Sequence, residues 1–252
     1  MTFFAKPILL TSILAALAGT SAVAQTAAPA APAAAPASTL SYNVGVVTDY
    51  RYRGISQSRL QPAVQGGVDF AHSSGAYVGA WASTIKWIKD VGGDSDVELD
   101  IYGGYKGTAG AVGYDVGVLT YIYPSNGLAP SANTTEIYAA GTVGPATLKY
   151  SHALTNTFGF ANSKNSSYLD LSATFDLGNG FSLVPHVGYQ RIAKNSAASY
   201  TDYSLTLAKD FGNGLAVTAA VVGTDADKEG YVTPAGKFTG KAGVVVGLKY
   251  SF

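Results

Sequence analysis

From residue 40 to residue 252 the chain alternates apolar and polar side chains with a period of two, in one short segment after another. That period is the signature of a β-strand with two unlike faces. The first segment shows it best. Tyr42, Val44, Val46, Thr48, Tyr50 and Tyr52 fall on one face, and Asn43, Gly45, Val47, Asp49, Arg51 and Arg53 on the other. The pattern recurs in Val97-Leu99-Ile101-Gly103-Tyr105 against Glu98-Asp100-Tyr102, and in Leu169-Leu171-Ala173-Phe175-Leu177 against Asp170-Ser172-Thr174-Asp176. Twelve such segments begin near Tyr42, Ala63, Tyr77, Val97, Val112, Thr135, Ala146, Tyr168, Phe181, Tyr203, Leu215 and Ala242. An even number of amphipathic strands predicts an all-β, antiparallel, up-and-down transmembrane barrel.

The connections carry independent information because they alternate in length. Short turns such as Ser73-Ser74-Gly75, Gly144-Pro145, Gly178-Asn179-Gly180 and Gly212-Asn213-Gly214 separate longer polar stretches at 54–62, 89–95, 124–133, 156–166, 194–201 and 224–241. Gly and Asn supply the positive φ that tight hairpins need. Short periplasmic turns with long extracellular loops are the outer-membrane pattern, and both termini then lie on the periplasmic side. The aromatic residues sort into two interfacial belts. Tyr42, Phe70, Tyr77, Tyr105, Phe175, Phe181, Phe211 and Phe252 are expected at the periplasmic rim, and Tyr52, Trp87, Tyr189 and Tyr203 at the outer rim.

The amino terminus is a targeting signal. Lys6 precedes an apolar stretch, Ile8 to Leu17, and Ala22-Val23-Ala24 is a small-residue cleavage site, so residues 1–24 are expected to be removed. Residues 25–39 are almost only Ala and Pro and read as a periplasmic spacer, leaving 40–252 as the barrel. No later run approaches the roughly 18 apolar residues of a membrane-spanning helix. Only 13% of residues are charged, against about 25% in a soluble domain, so something other than water covers part of the surface. Loss of Lys6 leaves 15 basic against 16 acidic residues, a balance that excludes nucleic acid as the main partner. The chain has no cysteine, which removes disulfides, thiolate metal sites and thiol nucleophiles together. His72, His152 and His186 are the only histidines, and no G-x-S-x-G element accompanies them, so an enzyme is not expected.

The chain ends Val244, Val246, Leu248, Tyr250 and Phe252 on one face, with phenylalanine last. A terminal strand of this form resembles the signal read by the barrel-assembly machinery. The run from Tyr42 to Ser58, with Asp49-Tyr50-Arg51-Tyr52-Arg53-Gly54 at its centre, resembles the TorF-type porin family of proteobacteria. Pro62 to His72, Glu98 to Tyr105, Tyr114 to Gly117, Lys149 to His152 and Tyr200 to Ser204 extend the resemblance over the whole barrel. It implies an outer-membrane pore, with outer-membrane lipid and lipopolysaccharide as surroundings, and it brings neither a settled substrate, nor catalytic residues, nor a cofactor.

By parity, the side chains expected to line the pore are Asp49, Arg51, Arg53, Asp69, Glu98, Asp100, Lys106, Asp115, Glu136 and Lys149. Asp94, Asp96, Glu98 and Asp100 alternate at the outer end of the fourth segment. They read as an acidic stripe at the mouth, as solvated loop acids, or as a loop calcium site lacking the usual glycine turn. An acidic stripe facing Arg51 and Arg53 would set a transverse field across the lumen. The inward face is rich in small residues, Gly45, Gly67, Gly113, Gly117, Ala140, Thr142, Ser172 and Gly188 among them, which would leave room for water. The expected function is passive diffusion of small hydrophilic solutes or ions. The alternative is a non-conducting structural or adhesive barrel that acts through its extracellular loops.

Overall fold

The computed structural model describes residues 38–252. The expected signal peptide, 1–24, and spacer residues 25–37 lie outside the described residues. The staves are β1 (Ser38–Val47), β2 (Ala63–His72), β3 (Ala76–Thr84), β4 (Val97–Ala109), β5 (Val112–Ile122), β6 (Thr134–Val143) and β7 (Ala146–Ala153). They continue as β8 (Ser167–Ala173, extended by Phe175–Gly178), β9 (Phe181–Arg191), β10 (Tyr200–Asp210), β11 (Leu215–Thr224) and β12 (Gly243–Ser251). Each pairs antiparallel with the next, and β1 pairs with β12 through Asn43↔Ser251 to Val47↔Gly247, which closes a twelve-stave barrel. β1 begins two residues inside the stretch read as spacer.

Closure leaves no sheet edge, so the backbone polar groups in the apolar slab find partners within the ladder, as lipid requires. An eleven-residue stave such as β10 is about 36 Å long at about 3.3 Å per residue, and spans about 25 Å of membrane normal when tilted about 45°. The exterior of that slab is apolar: Val44, Val64, Ile101, Leu148, Leu171, Leu205 and Val221 all face outward. The ladder between β8 and β9 is irregular, with a gap before Phe175 and a register shift between Asp176 and Gly178. β8 pairs with β9 up to Ser172↔His186 and resumes at Phe175↔Leu183, and the gap faces Pro185. Proline has no N–H to give, so a stave opposite it loses a rung.

The short connections and both described chain ends lie at one end of the barrel, and the long connections 48–62, 85–96, 123–133, 154–166, 192–199 and 225–242 lie at the other. The long loops are laced across the mouth by backbone hydrogen bonds. Lys86 N–H donates to Gln57 O (2.7 Å), Asp94 N–H to Asn126 O (3.0 Å) and Ser56 N–H to Thr239 O (3.0 Å).

Seven of the eight aromatics expected at the turn end, Tyr42, Phe70, Tyr105, Phe175, Phe181, Phe211 and Phe252, do face outward, as do Tyr189 and Tyr203 near the loop end. Tyr77, Tyr52 and Trp87 do not. Tyr77 has inward parity beside outward Val78, Tyr52 follows a bend that ends β1 at Val47, and Trp87 sits on a helical turn (Trp87–Asp90) of the 85–96 loop, edge-on to Tyr123. Tyr50, read on the lipid face, is buried inside for the same reason as Tyr52.

Candidate functional site

The barrel interior is the site. Its outer level is filled by a hairpin from the first long loop. After the bend at 48–50, Arg51–Tyr52 pairs with Ile55–Ser56, leaving Arg53 and Gly54 as a two-residue turn. Both turn residues have positive φ, +46° and +78°, as a type I′ turn demands. Gly54 is required here. A Cβ on it would lie 2.4 Å from the Thr224 methyl and 2.7 Å from Asp202 Cβ, so the turn is pressed against β10 and β11.

Asp49 holds the hairpin's base. Its carboxylate accepts from Ser56 Oγ (2.5 Å) and Ser58 Oγ (3.2 Å) and pairs with the Arg51 guanidinium. Arg51 also donates to Gly54 O (2.9 Å) and Thr239 O (3.0 Å), which ties the hairpin to the last loop. Tyr50 places its hydroxyl on Glu98 and its ring edge-on to Trp81. Arg51 and Arg53 therefore do point inward, but from a folded-in hairpin and not from the wall of β1, where the alternation placed them.

Arg53 reaches across the lumen. Its two terminal nitrogens donate to the two Glu136 oxygens (3.1 and 2.7 Å), and one also donates to Gln190 Oε1 (2.5 Å). Its guanidinium carbon lies 4.2 Å from the centre of the Tyr168 ring and 4.8 Å from that of Tyr52. The Tyr52 and Tyr121 hydroxyls meet at 2.5 Å, and Tyr121 donates on to Glu136 (3.4 Å). Asp100 is 1% exposed, and its Oδ1 has no hydrogen-bond partner.

The level nearer the turns is a lattice of tyrosines and charges. Tyr102 donates to Asp69 and Tyr77 to Asp115, both at 2.5 Å, and Tyr77 also meets the Tyr138 hydroxyl. Lys149 lies over the Tyr138 ring at 4.1 Å, and Lys106 over Tyr77 at 5.8 Å. On the next staves, β8 to β10, His186 Nε2 meets Asp170 (2.7 Å), and toward the outer level Tyr168 donates to Asp202 (2.9 Å).

All ten residues named from parity thus lie on the inside. Of the small inward residues, Gly117 and Gly188 do not leave the space expected of them, whereas a Cβ on Gly113 would meet no atom closer than Thr142 Cβ at 3.6 Å. Tyrosine rings lie on the glycines of neighbouring staves: Tyr102 on Gly79, Tyr77 on Gly104, Tyr138 on Gly117 and Tyr168 on Gly188, each so close that a Cβ would fall within 2.6 Å of the ring or its hydroxyl. These four glycines are seats for rings. Inward parity marked Tyr102, Tyr138, Tyr168 and Gln190 in the sequence, but only the pairing register shows which glycine each ring covers.

The acidic run divides in two. Glu98 and Asp100 are inside, whereas Asp94 and Asp96 stand on the 85–96 loop beside Lys86 and Lys89. Hydrogen bonds from Lys89 and then Lys86 hold the Asp96 carboxyl below the usual carboxylate range. On the same loop, burial pushes Asp90 up even though it pairs with Arg59. Among the described residues no three His, Asp or Glu side chains are grouped to hold a metal ion, and the four acids are not gathered in one place.

Among solved structures, the fold is similar to the KdgM porin (TM-score 0.55, 10% identity, over 85% of this chain and 99% of the porin). A second KdgM structure is a complex with disordered oligogalacturonate. The NanC porin aligns with TM-score 0.52 at 11% identity, over 85% of this chain and 99% of that one. An outer membrane channel from Pseudomonas putida F1 aligns with TM-score 0.50 at 12% identity, over 90% and 99%. At such identities the likeness shows a shared fold, the closed antiparallel barrel that these porins and channels also have. With the lipid-facing exterior, that fold places the chain in the bacterial outer membrane. No curated protein matches the sequence. Residues 30–252 match the family described as "Bacterial protein of unknown function (Gcw_chp)", and the chain belongs to that family.

Proposed function

We propose that this barrel is a passive channel for small hydrophilic solutes or ions, with a preference for cations. The observation that carries the reading is the chemistry of the interior. Asp49, Asp69, Glu98, Asp100, Asp115, Glu136, Asp170 and Asp202 face inward, against Arg51, Arg53, Lys106, Lys149 and Lys249. Eight carboxylates against five cations inside low-dielectric walls attract positive solutes and repel negative ones. That balance argues against a polyanion such as the oligogalacturonate of the KdgM complex. The resemblance to the TorF-type porin family supports the same reading. Lipopolysaccharide around the rim, and the barrel-assembly machinery acting on the strand Val244 to Phe252, are the partners it implies.

The crowded outer level favours a second reading, a non-conducting barrel that works through its loops. Conductance of the purified protein in a planar bilayer separates the two. A channel gives discrete steps, and deletion of residues 51–56 enlarges them. A correctly folded barrel that stays silent with and without the hairpin would overturn the channel reading.

A further inference from the structure

The contacts of Arg53 divide by where they are carried. Glu136, Tyr168 and Gln190 belong to staves β6, β8 and β9, whereas Arg53 arrives on a loop hairpin. The wall groups form a receptor shaped for one chemical group. Glu136 offers two oxygens to a planar fork, at 3.1 and 2.7 Å. A bidentate carboxylate is the matching partner of a guanidinium, not of an ammonium. The Tyr168 ring supplies a face 4.2 Å from the guanidinium carbon. Gln190 is oriented by its own amide, which donates to Ser167 O (3.2 Å) and Arg191 O (3.4 Å), so that its Oε1 faces the incoming N–H. Glu136, Tyr168 and Gln190 are all buried beneath the arginine.

The occupant, by contrast, is held in an unfavourable backbone. Arg53 takes φ +46° at the first central position of its turn, where Asn, Asp or Gly is the usual residue. A long cation kept in a left-handed conformation, at the tip of a two-rung hairpin, needs a reason outside the turn. The box on the wall supplies it.

We propose that Glu136, Tyr168 and Gln190 form a guanidinium-binding box on the barrel wall, that Arg53 is its tethered occupant, and that a small solute bearing a guanidinium group competes for the box and releases the hairpin. The inference deepens the channel reading by naming a solute class, and it rests on that reading for the consequence of release. The box itself does not depend on conduction. A tethered ligand acts at a high effective concentration, so the free solute sees a masked site in the native protein.

The test is chemical rescue. The mature barrel carrying Arg53→Ala is folded in detergent micelles, and its thermal unfolding is followed during titration with methylguanidinium at low millimolar concentration, with potassium chloride at equal ionic strength as control. The unfolding temperature of the variant should climb by a constant increment for each tenfold rise in methylguanidinium once the site fills, and should not respond to potassium. The native protein should need roughly tenfold more probe or higher for the same shift. The Arg53→Ala, Glu136→Gln double variant should not respond. An equal response in the double variant, or none in folded Arg53→Ala, overturns the proposal. If Arg53→Ala does not fold, the titration is read on Arg53→Lys, whose ammonium cannot make the paired bonds. There the probe should again raise the transition, and an unmoved transition overturns the proposal. Conductance is not read in this assay, so failure of the channel reading and failure of the box are separate results.

Discussion

Leu205 and Ser204 are neighbours on β10 with opposite surroundings, which makes them a sharp test of the barrel. Leu205 is the sixth of the eleven residues in its stave, close to the membrane midplane. It faces outward between Pro185 and Val221, and 48% of it is left for lipid to cover. Ser204 faces inward, opposite His186 and close to Asp202. An arginine on the lipid face at the midplane costs about 2–4 kcal/mol, and removing the lipid-covered half of a leucine adds about 1 kcal/mol. Leu205→Arg should therefore cost about 3–5 kcal/mol, whereas Ser204→Arg, whose guanidinium can reach Asp170 and Asp202, should stay within about 1 kcal/mol of native. Reversible unfolding in urea from phospholipid vesicles, followed by the fluorescence of the two tryptophans, gives both numbers. Equal losses in the two variants, or a larger loss at Ser204, would show that the face assignment of the barrel is wrong.

Phe252 closes the seam between β12 and β1. It exchanges two backbone hydrogen bonds with Tyr42 (2.8 and 3.0 Å) and stacks on the Tyr42 and Tyr250 rings at 5.7 and 5.9 Å. Deleting it or introducing Phe252→Asp should lower the yield of folded, heat-modifiable protein in the outer membrane, and unchanged yield would remove that role. Gly117→Ala would place a Cβ 2.6 Å from the Gly103 carbonyl and 2.5 Å from the Tyr138 hydroxyl; it should cost about 1–3 kcal/mol in the same urea assay, and a neutral result would show that the ring is not seated there. The carboxylate excess predicts cation selectivity that fades with salt, since the Debye length falls from about 10 Å at 0.1 M to about 3 Å at 1 M. Reversal potentials across a salt gradient measure it, and anion selectivity that vanishes in an Arg51→Ala, Arg53→Ala double variant would show that the arginines, not the total charge, govern the pore.

The staves were legible because period two and turn chemistry are both local. Ala63, Val97, Val112, Ala146, Phe181 and Leu215 begin staves where the alternation placed them. Parity carries no mark of where a strand stops, so it puts Tyr50 and Tyr52 on the lipid face, whereas β1 ends at Val47 and the alternation of 48–53 is an accident of a bent loop. Trp87 escapes the pattern for a related reason, because an aromatic on a loop has no face until the loop folds. Tyr77 had the right parity for the interior and was drawn to the rim only by its chemistry. The filling of the lumen was out of reach from one strand at a time. Whether Gly117 is empty space or a seat for Tyr138 depends on the register between β5 and β6, where Gly117 stands opposite Tyr138. Gln190 has inward parity, but nothing local marks what it binds, and its role arises from a loop residue 137 positions away.

A barrel that only needed filling would gain nothing from this interior. Replacing a buried ion pair by apolar side chains of similar size is often neutral or stabilising, because two desolvated charges rarely recover their hydration. Here the fill includes Arg53 on Glu136, His186 on Asp170, Lys149 over Tyr138 and an Asp100 oxygen with no partner. Such groups are costly in the closed arrangement, and less so in one that readmits water. The two levels differ in how such a change could occur. The inner charges stand on staves, and moving them breaks a ladder that must stay intact in lipid. The outer plug is a hairpin of two pairs, Arg51↔Ser56 and Tyr52↔Ile55, fixed by side-chain contacts to Asp49, Glu136, Gln190 and the Thr239 carbonyl and by one backbone bond from Ser56 N–H to Thr239 O. Elements with few backbone bonds of their own open at a small fraction of the global stability. On the channel reading, conduction is therefore set by the hairpin and not by the width of the twelve-stave wall, and the pairing of Arg53 with Glu136 is the contact on which opening turns.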